Sequence, residues 1–125
     1  ININEVIKNI VDFLKNSKIC QEIEISLNIA ETPLKIKSNF FHIQHTFLNL
    51  LLDRIKKLQS GEKILIETYK IQNAVVIKIN DTGKTEDKIE INPLFLEAIK
   101  KYGGNIEIKN TPEKENELII TFPLS

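Results

Sequence analysis

The chain has 125 residues, of which 42% are hydrophobic and 27% are charged, and its formal net charge at pH 7 is zero. This length buries one sizeable core, so we expect a single domain over residues 1–125. The absence of an initiator methionine indicates a domain excised from a larger protein. Zero net charge gives no support for a nucleic-acid partner. No apolar run approaches the roughly 20 residues that cross a bilayer, so we expect no membrane contact by this segment.

The N-terminal part alternates between helical and strand periodicity. Residues 4–16 predict an amphipathic helix, because apolar side chains recur there at spacings of three and four. Residues 23–29 alternate apolar and polar side chains, which predicts a strand with one face on a core. Pro33 ends this strand, and residues 34–37 predict a short further strand. Cys20 has no second thiol in the sequence, so we interpret it as a structural residue.

A second helix is predicted over residues 39–58, with Ser38 or Asn39 as its N-cap and Gly61 after its end. Its apolar residues share one broad face: Phe40, Ile43, Phe47, Leu48, Leu51, Leu52, Ile55 and Leu58. The other side carries a polar stripe within a sector of about 60°. This polar stripe consists of His42, His45, Asn49, Asp53 and Lys56.

Two strand pairs are predicted in the second half of the chain. Residues 63–71 and 74–79 form the first, joined by a tight connection that a hairpin favours. Residues 80–83 are a turn signal directly at the end of its second strand. Residues 105–109 and 117–122 predict the final pair.

A third helix is predicted between the two strand pairs. Asn92 and Pro93 supply its N-cap and first-turn proline, and Gly103 and Gly104 end it. Because two connections are hairpins, the sheet cannot be all parallel. The predicted fold class is therefore α/β, a two-layer α/β sandwich with a mixed, mostly antiparallel sheet and three helices on one face.

A motif lies on the polar stripe of the second helix. Asn49, Leu50 and Lys56 match the pattern Asn-Leu-x-x-Asn-Ala-x-Lys in register, and Asp53 replaces the second asparagine. Their spacing places these polar residues on one side of the helix.

Two turn motifs accompany it. Asp81 and Gly83 match an Asp-x-Gly-x-Gly turn after a central strand, with Thr85 at the second glycine. Tyr102 stands at the histidine of a His-Gly-Gly turn after the last helix. In their order and spacing along essentially the whole chain, these motifs resemble the catalytic, ATP-binding domain of sensor histidine kinases, which belongs to a wider group with gyrase B, heat-shock chaperones and MutL.

The resemblance implies ATP and Mg²⁺ as ligands. By that resemblance Asn49 and Asp53 hold the metal, Lys56 meets phosphate, Asp81 accepts a hydrogen bond from the adenine amino group, and Gly83 lets the backbone approach the base. It implies no protein nucleophile in this domain, since the phosphoryl acceptor is a histidine on a separate dimerisation domain. A response regulator is the further implied partner, and the implied location is cytoplasmic.

The phosphate end departs from the family pattern. Residues 84–91 are too few for the family's mobile lid, and Asp53 adds a charge that repels unscreened phosphates. The positions of the phosphate-cradling glycines carry Ile89, Glu90, Ile91 and Asn92, and Glu86 and Asp87 add further acids. We therefore expect triphosphate binding to be weak or absent.

The same residues also have simpler interpretations. Asn49, Asp53 and Lys56 fit an ordinary solvated helix face with an Asp–Lys pair. Histidines three residues apart without a third ligand, like His42 and His45, are typical of surface or packing residues rather than a metal site. Residues 81–83 fit a common turn.

Three functional hypotheses follow. The first is the catalytic domain of a sensor histidine kinase or close relative, with degenerate nucleotide-binding elements. The second is a non-catalytic module that uses the same sandwich to bind a helical dimerisation domain or a response regulator. The third is an unrelated α/β sandwich, which a different strand order would favour.

Overall fold

Three helices and five strands build the described part of the chain, which comprises residues 1–18, 22–83, 91–110 and 115–125 of a computed structural model. In chain order they are α1 (Ile3–Lys15), β1 (Glu24–Asn28), α2 (Phe40–Ile55), β2 (Lys63–Ile71), β3 (Ala74–Asp81), α3 (Pro93–Lys101), β4 (Asn105–Asn110) and β5 (Asn116–Pro123). Cys20 lies outside the described residues. None of the described helices combines the length and apolar composition that a bilayer crossing requires.

Each helix begins at an asparagine cap. The side-chain oxygens of Asn2, Asn39 and Asn92 accept a hydrogen bond from a backbone N–H in the first turn of α1, α2 and α3. These bonds satisfy donors that have no partner within a helix. The caps of α2 and α3 were predicted, and the structure selects Asn39 rather than Ser38.

Two glycines end α3 as the sequence predicts. The N–H of Gly104 donates to Ile99 O at 2.9 Å and that of Gly103 donates to Lys100 O at 3.0 Å. Gly103 has φ +77°, which a residue with a side chain adopts only with strain. A Cβ on Gly104 would lie 2.7 Å from the carbonyl oxygen of Thr121, so this glycine also allows the chain to pass close to β5.

The sheet has the strand order β1-β2-β3-β5-β4, with β1 parallel to β2 and the other pairs antiparallel. This confirms the predicted mixed, mostly antiparallel sheet. The strand β3 continues to Asp81, two residues beyond the predicted end, because it is paired on both sides there. Asp81 lies opposite Ile64 of β2 and Asn116 of β5, so it belongs to the sheet rather than to the turn after it.

All three helices pack on one face of the sheet, which confirms the two-layer architecture. Alternate strand residues and the apolar helix faces form one core among the described residues. Its central members include Ile7, Leu14, Phe47, Leu51, Ile66, Ile77, Ile99, Ile120 and Phe122. The sheet therefore presents its other face without these helices.

Residues 34–37 do not form the predicted strand. Lys35 makes a single isolated bridge with Asn2, since the chain opposite enters α1 directly afterwards. The apolar side chains of Leu34 and Ile36 are nevertheless fully buried, with 0% and 1% exposure. The apolar pattern of residues 34–37 therefore indicated buried side chains and not pairing in a β-sheet.

A buried polar network connects α1 to β2. The hydroxyl of Thr68 donates to Asn4 Oδ1 at 2.6 Å and accepts from the backbone N–H of Ala30 at 3.1 Å. Asn4 Nδ2 donates to the carbonyls of Ala30 and Thr32 at 3.0 and 3.1 Å. Both side chains are at least 95% buried, so each bond replaces one that water would otherwise make.

Replacing Thr68 by valine tests this network. We expect Thr68→Val to lower the free energy of unfolding by about 1–3 kcal/mol, because it leaves two buried polar groups without a partner. Urea denaturation gives the value. Thr46→Val is the matched control: the Thr46 hydroxyl donates only to the helix carbonyl of His42, and its loss should cost less. Equal losses in both variants would contradict the role of the network.

The open face of the sheet carries a charged cluster around Lys78. Its ammonium lies 2.7 Å from Glu117 Oε1, and Glu67 stands directly opposite on β2. The hydrogen bond to Glu117 raises the pKa of Lys78 above its ordinary value of 10.5; burial opposes the rise, and the charges of Glu117 and Glu67 add to it. A raised pKa means that the charged lysine stabilises the fold up to the pKa of the unfolded chain, and that this is lost as pH rises through the folded-state pKa.

The direction of this pKa shift gives a prediction for Lys78→Gln. The variant should be less stable than the parent chain by about 0.2–1 kcal/mol at pH 7–9, and the difference should shrink above about pH 10.5, where the unfolded parent chain loses the lysine charge while the folded chain keeps it to higher pH. Thermal melts across this pH range measure it. Lys70→Gln, at an exposed lysine of the same sheet, provides the control. A stability difference that stays constant to pH 11.5 would count against the pair.

Candidate functional site

A cavity of about 420 Å³ lies between α2 and α3. From α2 and the turn that follows, it is lined by His42, His45, Thr46, Asn49, Leu50, Asp53, Arg54 and Lys57. From α3 and its cap, it is lined by Asn92, Leu94, Phe95, Glu97, Ala98 and Lys101. We refer to it as the α2–α3 cavity.

The α2–α3 cavity has an apolar floor and a charged mouth. The floor consists of Leu50, Phe95 and Ala98, which line the cavity while remaining at least 95% buried. The mouth carries exposed acids and lysines: Asp53, Lys57, Glu97 and Lys101. A planar apolar ring suits such a floor, and polar substituents suit the mouth.

Not every residue of the polar stripe of α2 lines the α2–α3 cavity. Asn49 and Asp53 both line the cavity on successive turns, with exposed side chains, and Asn49 Nδ2 lies 3.4 Å from His45 Nε2. Lys56 is the C-cap residue, is exposed and is not among the described lining residues, whereas Lys57 is. The structure therefore brings the two predicted metal ligands together and places Lys56 apart from them.

His42 belongs to a contact at α3 and not to a metal cluster. Its Nδ1 lies 2.7 Å from the hydroxyl of Tyr102, and the two rings meet edge to face. Within the described ranges, no group of three or more His, Cys, Asp or Glu side chains is arranged to hold a metal ion.

Asp81 lies deeper than the cavity lining. It is 2% exposed at the end of β3, and neither it nor Gly83 is among the described residues that line the cavity. Its carboxylate accepts three hydrogen bonds and makes one further ion-pair contact. Oδ2 accepts from Arg54 Nε at 2.8 Å and lies 2.7 Å from Arg54 Nη2; Oδ1 accepts from Gly83 N at 3.0 Å and from Asn116 Nδ2 at 2.9 Å.

The chain itself therefore contacts both oxygens of the carboxylate. Two carboxylate oxygens offer about four acceptor sites, and three of these accept hydrogen bonds from Arg54, Gly83 and Asn116. Arg54 and Asp81 are both buried, with side-chain exposures of 6% and 2%. A buried ion pair needs such additional hydrogen bonds to offset the loss of water. We call Arg54, Asp81, Gly83 and Asn116 the Asp81 network.

A side chain at Gly83 would be crowded inside this network. A Cβ at this position would lie 2.9 Å from Leu58 Cδ2 and 3.0 Å from Asp81 Oδ1. Asn116 Nδ2 also lies 3.3 Å from the carbonyl oxygen of Gly83. The bond from Gly83 N to Asp81 is the kind that a turn makes, so the turn interpretation describes this contact well.

Sequence reasoning missed two members of the Asp81 network. Arg54 stands at the alanine of the Asn-Leu-x-x-Asn-Ala-x-Lys pattern, so a large cation there was a usable signal. Asn116 gave no signal, because 35 residues separate it from Asp81 and only the pairing of β3 with β5 brings them together.

The predictions about the lid concern residues that mostly lie outside the described part. These are Thr85, Glu86, Asp87, Ile89 and Glu90. Asn92 is described: its side chain caps α3 by accepting from Leu94 N at 2.9 Å, and it lines the cavity.

Comparison with solved structures identifies the class of fold. The chain superposes on the catalytic domain of the histidine kinase ThkA with a TM-score of 0.82 and 18% identity, covering 99% of this chain and 94% of that one. The mycobacterial sensor histidine kinase MprB gives a TM-score of 0.81 at 17% identity, with 99% and 95% covered. The fold is therefore that of histidine kinase catalytic domains.

Curated proteins give more particular relatives. Sporulation kinase D of Bacillus subtilis (strain 168) is 22% identical over 99% of this chain and 28% of that protein. Sporulation kinase C of the same organism is 21% identical over 98% of this chain and 33% of that protein. The chain thus spans about a third or less of the length of these relatives. No protein-family model matches the chain.

The contribution of the Asp81 network to stability can be tested by substitution. Arg54→Met should cost about 3–5 kcal/mol of unfolding free energy, because it leaves a buried carboxylate without its cation. Asp81→Asn should also be strongly destabilising. The double variant Arg54→Met/Asp81→Asn should lose clearly less than the sum, since neither buried charge is then left unpaired.

Equilibrium denaturation of the three variants measures this coupling. The exposed pair Lys63–Glu24, 3.5 Å apart with side-chain exposures of 66% and 60%, supplies the control. Lys63→Met should cost about 1 kcal/mol or less. Additive losses in the Arg54 and Asp81 variants would show that the two side chains do not act as a pair.

Proposed function

We propose that this chain is the catalytic, ATP-binding type of domain of a sensor histidine kinase or close relative, in which nucleotide binding is weakened or lost. The fold, the motif order and the sporulation-kinase relatives support the first half. The observation that carries the second half is the buried carboxylate of Asp81, whose two oxygens are already bound by Arg54, Gly83 and Asn116. In this proposal residues 1–125 form a single domain that works in the cytoplasm.

The free energies of hydrogen bonding and of charge burial decide whether adenine can bind at Asp81. In the resemblance, the adenine amino group donates to Asp81, but here Arg54, Gly83 and Asn116 already bind both of its oxygens. A base that displaces Arg54 gains one hydrogen bond to a charged group, about 1.5–3 kcal/mol. It leaves a buried arginine without its partner, which costs about 3–5 kcal/mol. The exchange is therefore unfavourable.

The phosphate end offers little compensation. Asn49 and Asp53 provide side-chain oxygens that fit Mg²⁺, an ion that proteins commonly hold with one or two carboxylates plus substrate phosphates. The described mouth pairs two acids, Asp53 and Glu97, with two lysines, Lys57 and Lys101. This balance gives no net field that attracts a polyanion. Because the adenine end does not accept the base, we derive no phosphoryl-transfer step through this site.

A second candidate function is a non-catalytic module that binds a helical, histidine-bearing dimerisation domain or a response regulator. One relative by fold, ThkA, has been solved in complex with the response regulator protein TrrA, with a TM-score of 0.82 and 19% identity over 100% of this chain and 41% of that one. The exposure of Leu94 and Phe41, 71% and 78%, favours contact with a protein surface.

Calorimetric titration with a non-hydrolysable ATP analogue and Mg²⁺ tests the proposal. We expect no binding tighter than about 1 mM, or about −4 kcal/mol. Asp53→Asn, which restores the second asparagine of the pattern, should behave in the same way because the adenine end is unchanged. Micromolar, metal-dependent binding of the analogue to the parent chain would refute the loss of nucleotide binding and the non-catalytic alternative together.

A further inference from the structure

We infer that Arg54 determines the ligand specificity of this site: its guanidinium is an internal ligand of Asp81, and the same side chain lines the α2–α3 cavity. A small residue at position 54 therefore opens a site for a planar amino-substituted ring. The choice of adenine as that ring rests on the proposed function above. The geometry of Arg54 itself does not depend on it.

The two oxygens of Asp81 are served by different parts of the chain. Oδ1 is bound by Gly83 and Asn116, which belong to the sheet and the turn after β3. Oδ2 is bound by Arg54 through both Nε and Nη2, at 2.8 and 2.7 Å. Loss of the guanidinium thus frees Oδ2 and leaves the fixed partners of Oδ1 in place.

Arg54 also stands between this oxygen and the cavity. Arg54 lines the α2–α3 cavity, whereas Asp81 does not appear among its described lining residues. Because Arg54 contacts both the cavity and Oδ2, we expect a shorter side chain at position 54 to extend the cavity to Oδ2. The floor of Leu50, Phe95 and Ala98 then provides an apolar surface beside a single buried acceptor. Such a combination recognises a flat ring that carries an amino donor.

Guanidinium and adenine share the feature that this site would recognise. Both are planar and present N–H donors at their edge, and the protein already holds one such group in this place. Arg54 donates one hydrogen bond through Nε and adds an ion-pair contact through Nη2, whereas an amino group donates one hydrogen bond to the same oxygen. A free guanidinium ion is therefore the closest substitute for the lost side chain. Adenosine tests whether the site also binds a planar ring that carries an amino group.

The experiment compares the 125-residue chain with Arg54→Ala and Arg54→Met. The probes are methylguanidinium at millimolar concentration and adenosine, which has no phosphate and needs no Mg²⁺. We expect both probes to raise the Tm of Arg54→Ala by several degrees, through binding to the folded state alone. Adenosine should bind Arg54→Ala at least about tenfold more tightly than the parent chain. Arg54→Met lacks the donors but fills the space, so adenosine should leave its Tm unchanged.

Each outcome decides the inference. A folded Arg54→Ala that responds to neither probe overturns it, and so does a parent chain that binds adenosine as well as the variant. Circular dichroism checks the fold. If Arg54→Ala is unfolded alone, recovery of its helical signal on adding methylguanidinium or adenosine supports the inference, and no recovery overturns it. A parent chain that binds the ATP analogue but not adenosine refutes only the proposed loss of nucleotide binding.

Discussion

The ion pair between Arg54 and Asp81 joins the two layers of the molecule at its centre. Arg54 comes from the middle helix, and Asp81 ends a strand that has neighbours on both sides. Burying two charges is costly, and the cost is offset only when their hydrogen-bonding capacity is filled. The nearby features serve that condition: Asn116 begins β5 opposite Asp81, and Gly83 has no side chain to push the turn away from the carboxylate.

Most of the fold was predictable because local patterns and tertiary structure agree. The asparagine caps, the glycines after α3 and the alternating strands each act over a few residues, and the structure places them as the sequence indicates. The exceptions were decided by distant partners. Residues 34–37 are apolar enough for a strand, but they face a chain that turns into α1. The second helix was predicted to reach residue 58, but α2 ends at Ile55.

The site was less predictable, because its central contacts join residues that are far apart in the chain. Helical spacing correctly grouped Asn49 and Asp53 on one side of α2. The same spacing does not reveal that Arg54, one residue further, turns inward to a strand end 27 residues away. Composition offered no hint either, since a charged residue between Asp53 and Ile55 is ordinary on a helix with one wet face. Sequence therefore locates the surface of this site better than its interior.

The cap of α3 adds a consequence for the ligand-free protein. The Asn92 side chain borders the cavity and already serves the N–H of Leu94, while Arg54 serves Asp81 on the far side. Bound molecules commonly stabilise a folded protein through a backbone donor and a buried acceptor. Here the backbone N–H of Leu94 and the carboxylate of Asp81 are both hydrogen-bonded by side chains of the protein itself. If nucleotide binding is lost as proposed, the population of the native state does not depend on nucleotide supply.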